Sequence, residues 1–289
     1  MNKEELLELA ENPDFISGIY NYCDRWCERC PFTSRCFLYA TEQADRDLDD
    51  PEVHDISNEK FWKKLHSIFA NTAELIADWA AEAGIDLDAI DVRDTEHERE
   101  IAEAKQSELS VAAKHYAGMV GDWFKEEFAT EESVHTDGAV GSDPEEDVTI
   151  EGAVDVVRWY QFFIAVKIFR ALSGGRHSAE EWGDEDELLG SNLFDVHDPE
   201  EDEDVDYDAV LARADRMDAS GSAKVALIAM DRSISAWRAL QISLPEKTDS
   251  ITPMLIELER LRRATELSFP HARDFIRPGL DESTSEFVS

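Results

Sequence analysis

Residues 150–172 read IEGAVDVVRWYQFFIAVKIFRAL, and this stretch decides the fold of the chain. Its apolar residues cover most of the circumference that a helix would present, which is typical of a helix at the centre of a bundle. The charges at Asp155, Arg158, Lys167 and Arg170 make it too polar to cross a membrane. The stretch therefore predicts the central helix of an all-α protein.

Further helices are predicted on either side, because apolar residues recur there with the period of an α-helix. We expect them at about 3–10, 57–83, 95–129, 222–242 and 252–267, and we find no alternation typical of strands. A start signal at Asn12-Pro13-Asp14 predicts one more helical segment, running to about Cys30. Four long helices favour an antiparallel bundle, with acidic linkers near 130–148 and 174–206. The expected organisation is a cysteine-rich helical segment at 1–50 and a helical bundle at 55–280.

The strongest chemical signal is residues 22–37, YCDRWCERCPFTSRCF, which contain all four cysteines of the chain. Cys23, Cys27, Cys30 and Cys36 have the spacing CxxxCxxCxxxxxC. Four thiolates in one short segment can complete either a tetrahedral zinc site or a 4Fe-4S cluster. We predict that these four residues bind a metal or a cluster, rather than packing as small hydrophobic side chains.

Zinc and iron-sulfur both remain open at this point. On a straight helix Cys23 and Cys30 would be about 10 Å apart along the axis, a separation that suits the wider cluster better than one zinc ion. Cys30-Pro31 is similar to the junction found in ferredoxin loops. A 4Fe-4S cluster used in electron transfer or sensing is therefore our first prediction, and a structural zinc scaffold without catalysis is the alternative.

The triad Cys23, Cys27 and Cys30 also resembles the CxxxCxxC signature of radical S-adenosylmethionine enzymes. The resemblance covers eight residues, and it implies a cluster with one iron open to substrate. Arg29 departs from it, because that family usually has an aromatic residue before the third cysteine. No alternation of strands and helices supports the barrel of that family either.

A longer resemblance joins residues 16–32, ISGIYNYCDRWCERCPF, with residues 269–279, FPHARDFIRPG. Together these stretches resemble a family of uncharacterised bacterial all-helical proteins that carry the CxxxCxxCxxxxxC motif near the N-terminus. This resemblance implies a helical fold and a cysteine site, and it implies no activity.

The charge of the chain excludes several kinds of partner. Its 66 acidic residues face only 28 basic ones, which gives a formal net charge of −38. Such a chain repels nucleic acid and anionic lipid, so we expect neither nucleic-acid nor membrane binding. The acidic excess is typical of proteins that work in molar salt, where charge repulsion is screened. We expect the cytoplasm of a halophilic bacterium, since no signal peptide is visible.

A second metal site is a further hypothesis, because inward carboxylates in a helical bundle can form a ferritin-like dimetal oxidoreductase centre. The candidate residues are Glu74, Glu108, His115, Asp155 and Asp231, together with the Glu-x-x-His pair Glu132 and His135. Buried ion pairs that include Asp155 with Arg158 and Asp231 with Arg232 are the simpler interpretation. A protein redox partner would accompany the cluster hypothesis, whereas substrate and oligomeric state stay open.

Overall fold

The structure is a computed structural model that describes residues 3–46, 51–53, 55–82, 84, 86–87, 95–127, 149–174 and 207–281. Its regular secondary structure is helical, and these residues contain no strand. The predicted all-α class, with helices packed in a bundle, is confirmed.

The α-helices are α1 (Lys3–Ala10), α2 (Phe37–Arg46), α3 (Glu59–Glu82), α4 (Thr95–Gln106), α5 (Glu108–Glu127), α6 (Ile150–Gly174), α7 (Tyr207–Ser243) and α8 (Thr248–Ser268). Short 3₁₀ turns lie at Ile19–Asn21, Cys27–Arg29, Thr33–Arg35, Pro51–Val53 and Pro245–Lys247. Among the described helices, none has an apolar stretch long enough and poor enough in charge to span a bilayer.

The chain forms two compact units, and the cysteine region contributes to both. One unit comprises Met1–Tyr20 and Pro31–Thr95, and the other comprises Asn21–Cys30 and Glu96–Ser289. We refer to them as the amino-terminal and carboxy-terminal units. The sequence-based division into 1–50 and 55–280 assigns metal binding to the first part, and it stays a prediction.

Four helices, α5 to α8, build the bundle of the carboxy-terminal unit. Helix α6 packs most extensively against α7 and also against α5, while α8 packs against both α7 and α5. The residues at the centre are fully buried: Tyr116, Val120, Tyr160, Ile164, Ile168, Leu227, Met230, Trp237, Leu240, Ile251, Leu258 and Leu261. The stretch that predicted the fold is therefore a helix of the bundle that packs against both α5 and α7.

Buried polar groups inside this bundle find partners across helices. The indole Nε1 of Trp237 donates to the hydroxyl of Tyr116 at 3.0 Å, and the Trp123 indole lies edge-on to Trp237 with 4.9 Å between ring centres. Gln161 Nε2 donates to the carbonyl of Ala117 at 2.8 Å. These bonds offset the loss of water by the polar atoms and fix the register of α5, α6 and α7.

The predicted helix at 95–129 is two helices, because the chain breaks at Ser107. The Ser107 Oγ accepts the backbone N–H of Ser110 at 3.1 Å and donates to the Ala104 carbonyl at 3.0 Å. This side chain caps the start of α5 and replaces the helical bonds that a continuous helix would need.

Helix α7 begins at Tyr207, which is 15 residues before its predicted start. The predicted linkers near 130–148 and 174–206 lie almost wholly outside the described residues.

In the amino-terminal unit, the segment after α1 turns back on itself through an aromatic contact. The ring of Phe37 packs against Phe15 with 6.0 Å between centres and against Tyr20 with 6.5 Å. Lys3 of α1 forms ion pairs with Glu74 and Asp78 of α3. Among the described side chains of α3 only Ala80 is buried, so the helix keeps most of its surface in contact with solvent.

Candidate metal centre

Residues 21–30 pack onto α6 and α7 as a turn-rich segment, which we call the cysteine segment. The expected α-helix over 12–30 is wrong, because only the 3₁₀ turns at Ile19–Asn21 and Cys27–Arg29 form there. Asp24 Oδ1 accepts the backbone N–H of Trp26 at 3.1 Å, and Arg25 has a positive φ of 61°. A side chain that competes for backbone N–H groups and a left-handed residue both disfavour a helix.

Asp24 holds the cysteine segment on the bundle. The hydroxyl of Tyr160 donates to Asp24 Oδ2 at 2.6 Å, and Arg232 Nη1 donates to the same oxygen at 2.5 Å. Arg232 Nη1 also donates to the Tyr160 hydroxyl at 2.7 Å. The carbonyl of Asp24 accepts the indole Nε1 of Trp159 at 3.0 Å. One residue of the segment is thus bonded to side chains of both α6 and α7.

An aromatic stack extends this attachment. The Trp26 ring lies parallel to Trp159 with 5.0 Å between centres, and it meets Tyr160 edge-on at 6.0 Å. The guanidinium carbon of Arg29 lies 3.9 Å from the centre of the Trp26 ring, and Arg29 Nη2 is 3.4 Å from Asp155 Oδ2. Stacked rings with a cation on the outer face add attraction to the burial of apolar area.

The start of the cysteine segment is held by close packing. The Tyr22 ring meets Phe275 edge-on with 4.9 Å between centres. It also lies so close to Gly221 of α7 that any Cβ at that position would overlap it. Glycine therefore permits the close approach of ring and helix.

Cys23 is partly buried, with charges of both signs nearby. Burial raises the pKa of the Cys23 thiol and the charge of Asp24 acts in the same direction, whereas a hydrogen bond from the backbone N–H of Arg25 and the charges of Arg25 and Lys167 lower it. Lys167 is 6% exposed, donates to the Asn21 carbonyl at 3.1 Å, and has its pKa lowered by burial. A thiolate at Cys23 bound to a metal would be attracted by these cations and repelled by Asp24.

The other two cysteines of the segment flank one turn. The backbone N–H of Cys30 donates to the Cys27 carbonyl at 3.2 Å across the 3₁₀ turn Cys27–Arg29. Cys23, Cys27 and Cys30 are all partly accessible to solvent. The separation expected between Cys23 and Cys30 along a helix axis does not apply, because the segment is not an α-helix.

Cys36 belongs to the amino-terminal unit and follows the 3₁₀ turn Thr33–Arg35, where its N–H donates to the Thr33 carbonyl at 3.3 Å. The structure describes all four cysteines and joins none of them in a disulfide. Within the described residues, no three Cys, His, Asp or Glu side chains stand close enough together to hold a metal ion. The donor set fits a thiophilic metal by its chemistry, because it offers four thiols within residues 23–36.

The structure does not bring the dimetal candidates together in the part of the chain that it describes. His115 is 65% exposed and lies 3.7 Å from Glu257, while Glu74 pairs with Lys3. Glu108 begins α5. The candidates Glu132 and His135 lie outside the described residues.

The residues of the expected ion pairs contact other partners. Asp155 approaches Arg29 rather than Arg158, whose guanidinium instead lies 4.7 Å from the centre of the Phe124 ring. Asp231 forms ion pairs with Arg262 at 3.2 Å and with Arg273 at 2.9 Å. Arg232 forms its ion pair with Asp24. The predicted pairing of Asp231 with Arg232 is therefore wrong, because adjacent residues point to different sides of a helix. The predicted pairing of Asp155 with Arg158 is also wrong: the two residues are three apart and share a face, but each contacts a residue outside α6 instead.

Sequence reasoning missed the residues that attach the cysteine segment, namely Asp24, Trp159 and Tyr160. One signal was available, since Asp24 and Trp26 stand between the first two cysteines.

No known protein family, no curated protein and no solved structure matches the chain. The resemblance to a bacterial helical family through the cysteine motif stays a prediction.

Proposed function

We propose that Cys23, Cys27, Cys30 and Cys36 hold a 4Fe-4S cluster, used for electron transfer or sensing. The observation that carries this proposal is the attachment of the cysteine segment. Asp24, Tyr22 and Trp26 each contact the bundle, and none of the four thiols is used in a disulfide. Residues besides the proposed ligands therefore help to position the segment.

The surroundings of the segment also support a cluster. Trp26, which precedes Cys27 in the chain, packs on Trp159 and Tyr160. Cys23 lies near the negative charge of Asp24 and the positive charges of Arg25 and Lys167. Burial and charge near the thiolates are the features by which proteins tune such centres. A bound 4Fe-4S cluster would supply one-electron chemistry, for which a protein redox partner is the corresponding proposal.

Structural zinc on the same four cysteines is the second candidate, and one observation favours it. Cys27 and Cys30 lie at the two ends of a tight turn, with the backbone bond of 3.2 Å described above. Two cysteines separated by two residues in a turn are common in zinc sites. In this case the chain would be a scaffold or interaction module without catalysis.

Metal and acid-labile sulfide analysis distinguishes the candidates, using full-length protein purified without oxygen in molar salt. About four iron and four sulfide per chain with visible absorption would support the cluster, and about one zinc without sulfide would support the scaffold. Cys27→Ser and Cys36→Ser should each lower the metal content, whereas the nearby control Ser34→Ala should not. A protein without iron or zinc, with four titratable thiols, would exclude both candidates.

We also propose that the chain works in the high-salt cytoplasm of a halophilic bacterium. The support is its formal charge of −38, which salt must screen for the acidic helices to pack without strong repulsion. The free energy of unfolding should rise as KCl increases from about 0.1 M to about 2 M, since the Debye length falls from about 10 Å to below about 3 Å. A stability that is constant or falls over this range would contradict the proposal.

A further inference from the structure

Two of the four cysteines lie at the ends of one short turn. The 3₁₀ turn Cys27–Arg29 is closed by the backbone N–H of Cys30, which donates to the Cys27 carbonyl at 3.2 Å. The Cα atoms at the ends of a four-residue turn lie less than about 7 Å apart. A disulfide joins residues whose Cα atoms are about 4.4–6.8 Å apart. The backbone of this turn therefore suits a disulfide between Cys27 and Cys30.

The turn is held on the bundle by residues that are not cysteines. Trp26, immediately before it, stacks on Trp159 with 5.0 Å between ring centres. Arg29, inside it, has its guanidinium carbon 3.9 Å from the centre of the Trp26 ring and its Nη2 atom 3.4 Å from Asp155 Oδ2. These contacts use neither thiol, so they can persist when the two sulfur atoms are joined. A turn that is held in place also keeps each thiol close to the other, which favours reaction between them.

We propose that Cys27 and Cys30 form a reversible disulfide when no metal is bound, and that this bond makes both sulfur atoms unavailable to a metal. The thiolate of one cysteine attacks a low-molecular-weight disulfide such as oxidised glutathione, which forms a mixed disulfide and releases one glutathione thiolate. The thiolate of the other cysteine then attacks the protein sulfur of the mixed disulfide, and the second glutathione thiolate leaves. The two protein thiols lose two electrons and two protons, and oxidised glutathione gains them as two molecules of glutathione.

Access and loop size make this bond reversible. Both cysteines are partly accessible to solvent, so a small disulfide or a small thiol can reach them. Only two residues separate them, and closing so short a loop restricts the unfolded chain less than closing a long one. Accessible disulfides are typically labile and regulatory. The pair therefore fits a redox switch better than a structural crosslink.

The consequence for metal binding rests on the proposed function, whereas the disulfide itself does not. A sulfur atom in a disulfide is no longer a thiolate, and the thiolate is the metal ligand. Oxidation thus removes two of the four proposed ligands, and a bound metal in turn occupies the two sulfur atoms. Oxidation of this pair and metal uptake consequently compete with each other.

Disulfide mapping of the full-length, metal-free chain tests the pairing. After incubation with glutathione buffers in molar KCl without oxygen, mass spectrometry should find Cys27 joined to Cys30. The variant Cys23→Ser/Cys36→Ser keeps only this pair and should form the same bond. The matched variant Cys27→Ser/Cys30→Ser should form no internal bond under the same conditions. A wild-type chain of native circular dichroism that joins other cysteines, carries only glutathione adducts or does not react would overturn the proposal.

The dependence on the turn has its own test. In Cys23→Ser/Cys36→Ser, the ratio of reduced to oxidised glutathione at half oxidation gives the effective concentration of one thiol at the other. This concentration should be at least about threefold higher in the folded chain than in the urea-unfolded chain, because only the folded chain holds the turn. A smaller difference, or a lower value in the folded chain, would overturn the role of the turn.

Zinc uptake distinguishes this inference from the proposed function. With zinc ions alone as the probe and a coloured chelator as competitor, the reduced chain should bind zinc at least about 100-fold more tightly than the oxidised chain, and reduction should restore the tight binding. Equal affinities would overturn the competition between oxidation and metal uptake. A reduced chain that binds no zinc would overturn the proposed metal site and this competition with it, but the mapped disulfide would still stand.

Discussion

Helices α3 and α6 are almost equal in length, with 24 and 25 residues, but they differ in what covers them. Helix α6 buries Tyr160, Ile164 and Ile168 completely between its neighbours, whereas α3 leaves Phe69 and Trp79 more than half exposed. Both sequences show the apolar periodicity of a helix. This periodicity predicts that a helix forms, but it does not predict which other helices pack against it. The comparison teaches that burial depends on the number of packed neighbours, and each prediction below tests one side of it.

The largest difference is expected between two tryptophans. Trp237→Ala should lower the free energy of unfolding by about 3–5 kcal/mol, because it leaves a cavity and removes the donor to Tyr116. Trp79→Ala in α3 should change it by no more than about 0.5 kcal/mol. Urea unfolding in molar KCl measures both. Equal losses would mean that α3 is buried as deeply as α7.

A glycine pair tests the tight packing of the cysteine segment on the bundle. Gly221→Ala should destabilise the protein by about 1–3 kcal/mol, since the new Cβ must displace the Tyr22 ring. Gly118→Ala is the control, because a Cβ there meets nothing within 4 Å, and it should stabilise α5 by about 0.5–1 kcal/mol. Thermal unfolding followed by circular dichroism measures both. If both substitutions stabilise the protein, or both destabilise it, this account of Tyr22 is contradicted.

The attachment of the cysteine segment can be weakened without changing any cysteine. Asp24→Asn should lower stability by about 1–3 kcal/mol, since it removes the negative acceptor shared by Tyr160 and Arg232. Hydrogen exchange should become faster in residues 21–30 before it does so in α6. The control is Asp122→Asn, whose carboxylate is 71% exposed beside Lys125 and should contribute less than about 0.5 kcal/mol. Unchanged exchange in the segment would show that Asp24 does not hold it.

The smallest effect appears at alkaline pH. Burial raises the pKa of Tyr22 to about 12, with the charge of Asp218 acting in the same direction and that of Arg170 against it. The unfolded chain loses this proton near pH 10, so above that pH it binds fewer protons than the folded chain and stability falls. Tyr22→Phe should remove about 1 kcal/mol of this loss at pH 11, measured by urea unfolding at pH 9 and pH 11. An identical pH dependence in both proteins would refute the assignment.

Most of the fold was predictable because it rests on periodicity. The apolar surface of residues 150–172 identified a helix of the bundle, although Phe162 and Val166 on it are 65% and 59% exposed. The bounds of α3 and α6 are close to those expected. The break at Ser107 was missed because a serine within a helical pattern does not reveal whether its side chain caps or points to solvent.

The candidate site was less predictable. The spacing of Cys23, Cys27, Cys30 and Cys36 indicates thiolate ligation, but it does not determine their backbone. That backbone depends on Asp24 and on the left-handed Arg25, and Asp24 finds Tyr160 and Arg232 far along the chain. Contacts over such separations leave no periodic trace in a single sequence, so the ion pairs of α6 and α7 were assigned to the wrong partners.

The separation between Asp24 and Arg232 also affects the order of events during synthesis. The two residues are 208 positions apart, so a ribosome that adds about 5–20 residues per second makes Arg232 about 10–40 s after Asp24. Throughout that interval the cysteine segment has been synthesised, but α7, onto which it packs in the folded protein, has not been completed. The four thiols are consequently most accessible, to metal delivery and to oxidation alike, on the nascent chain.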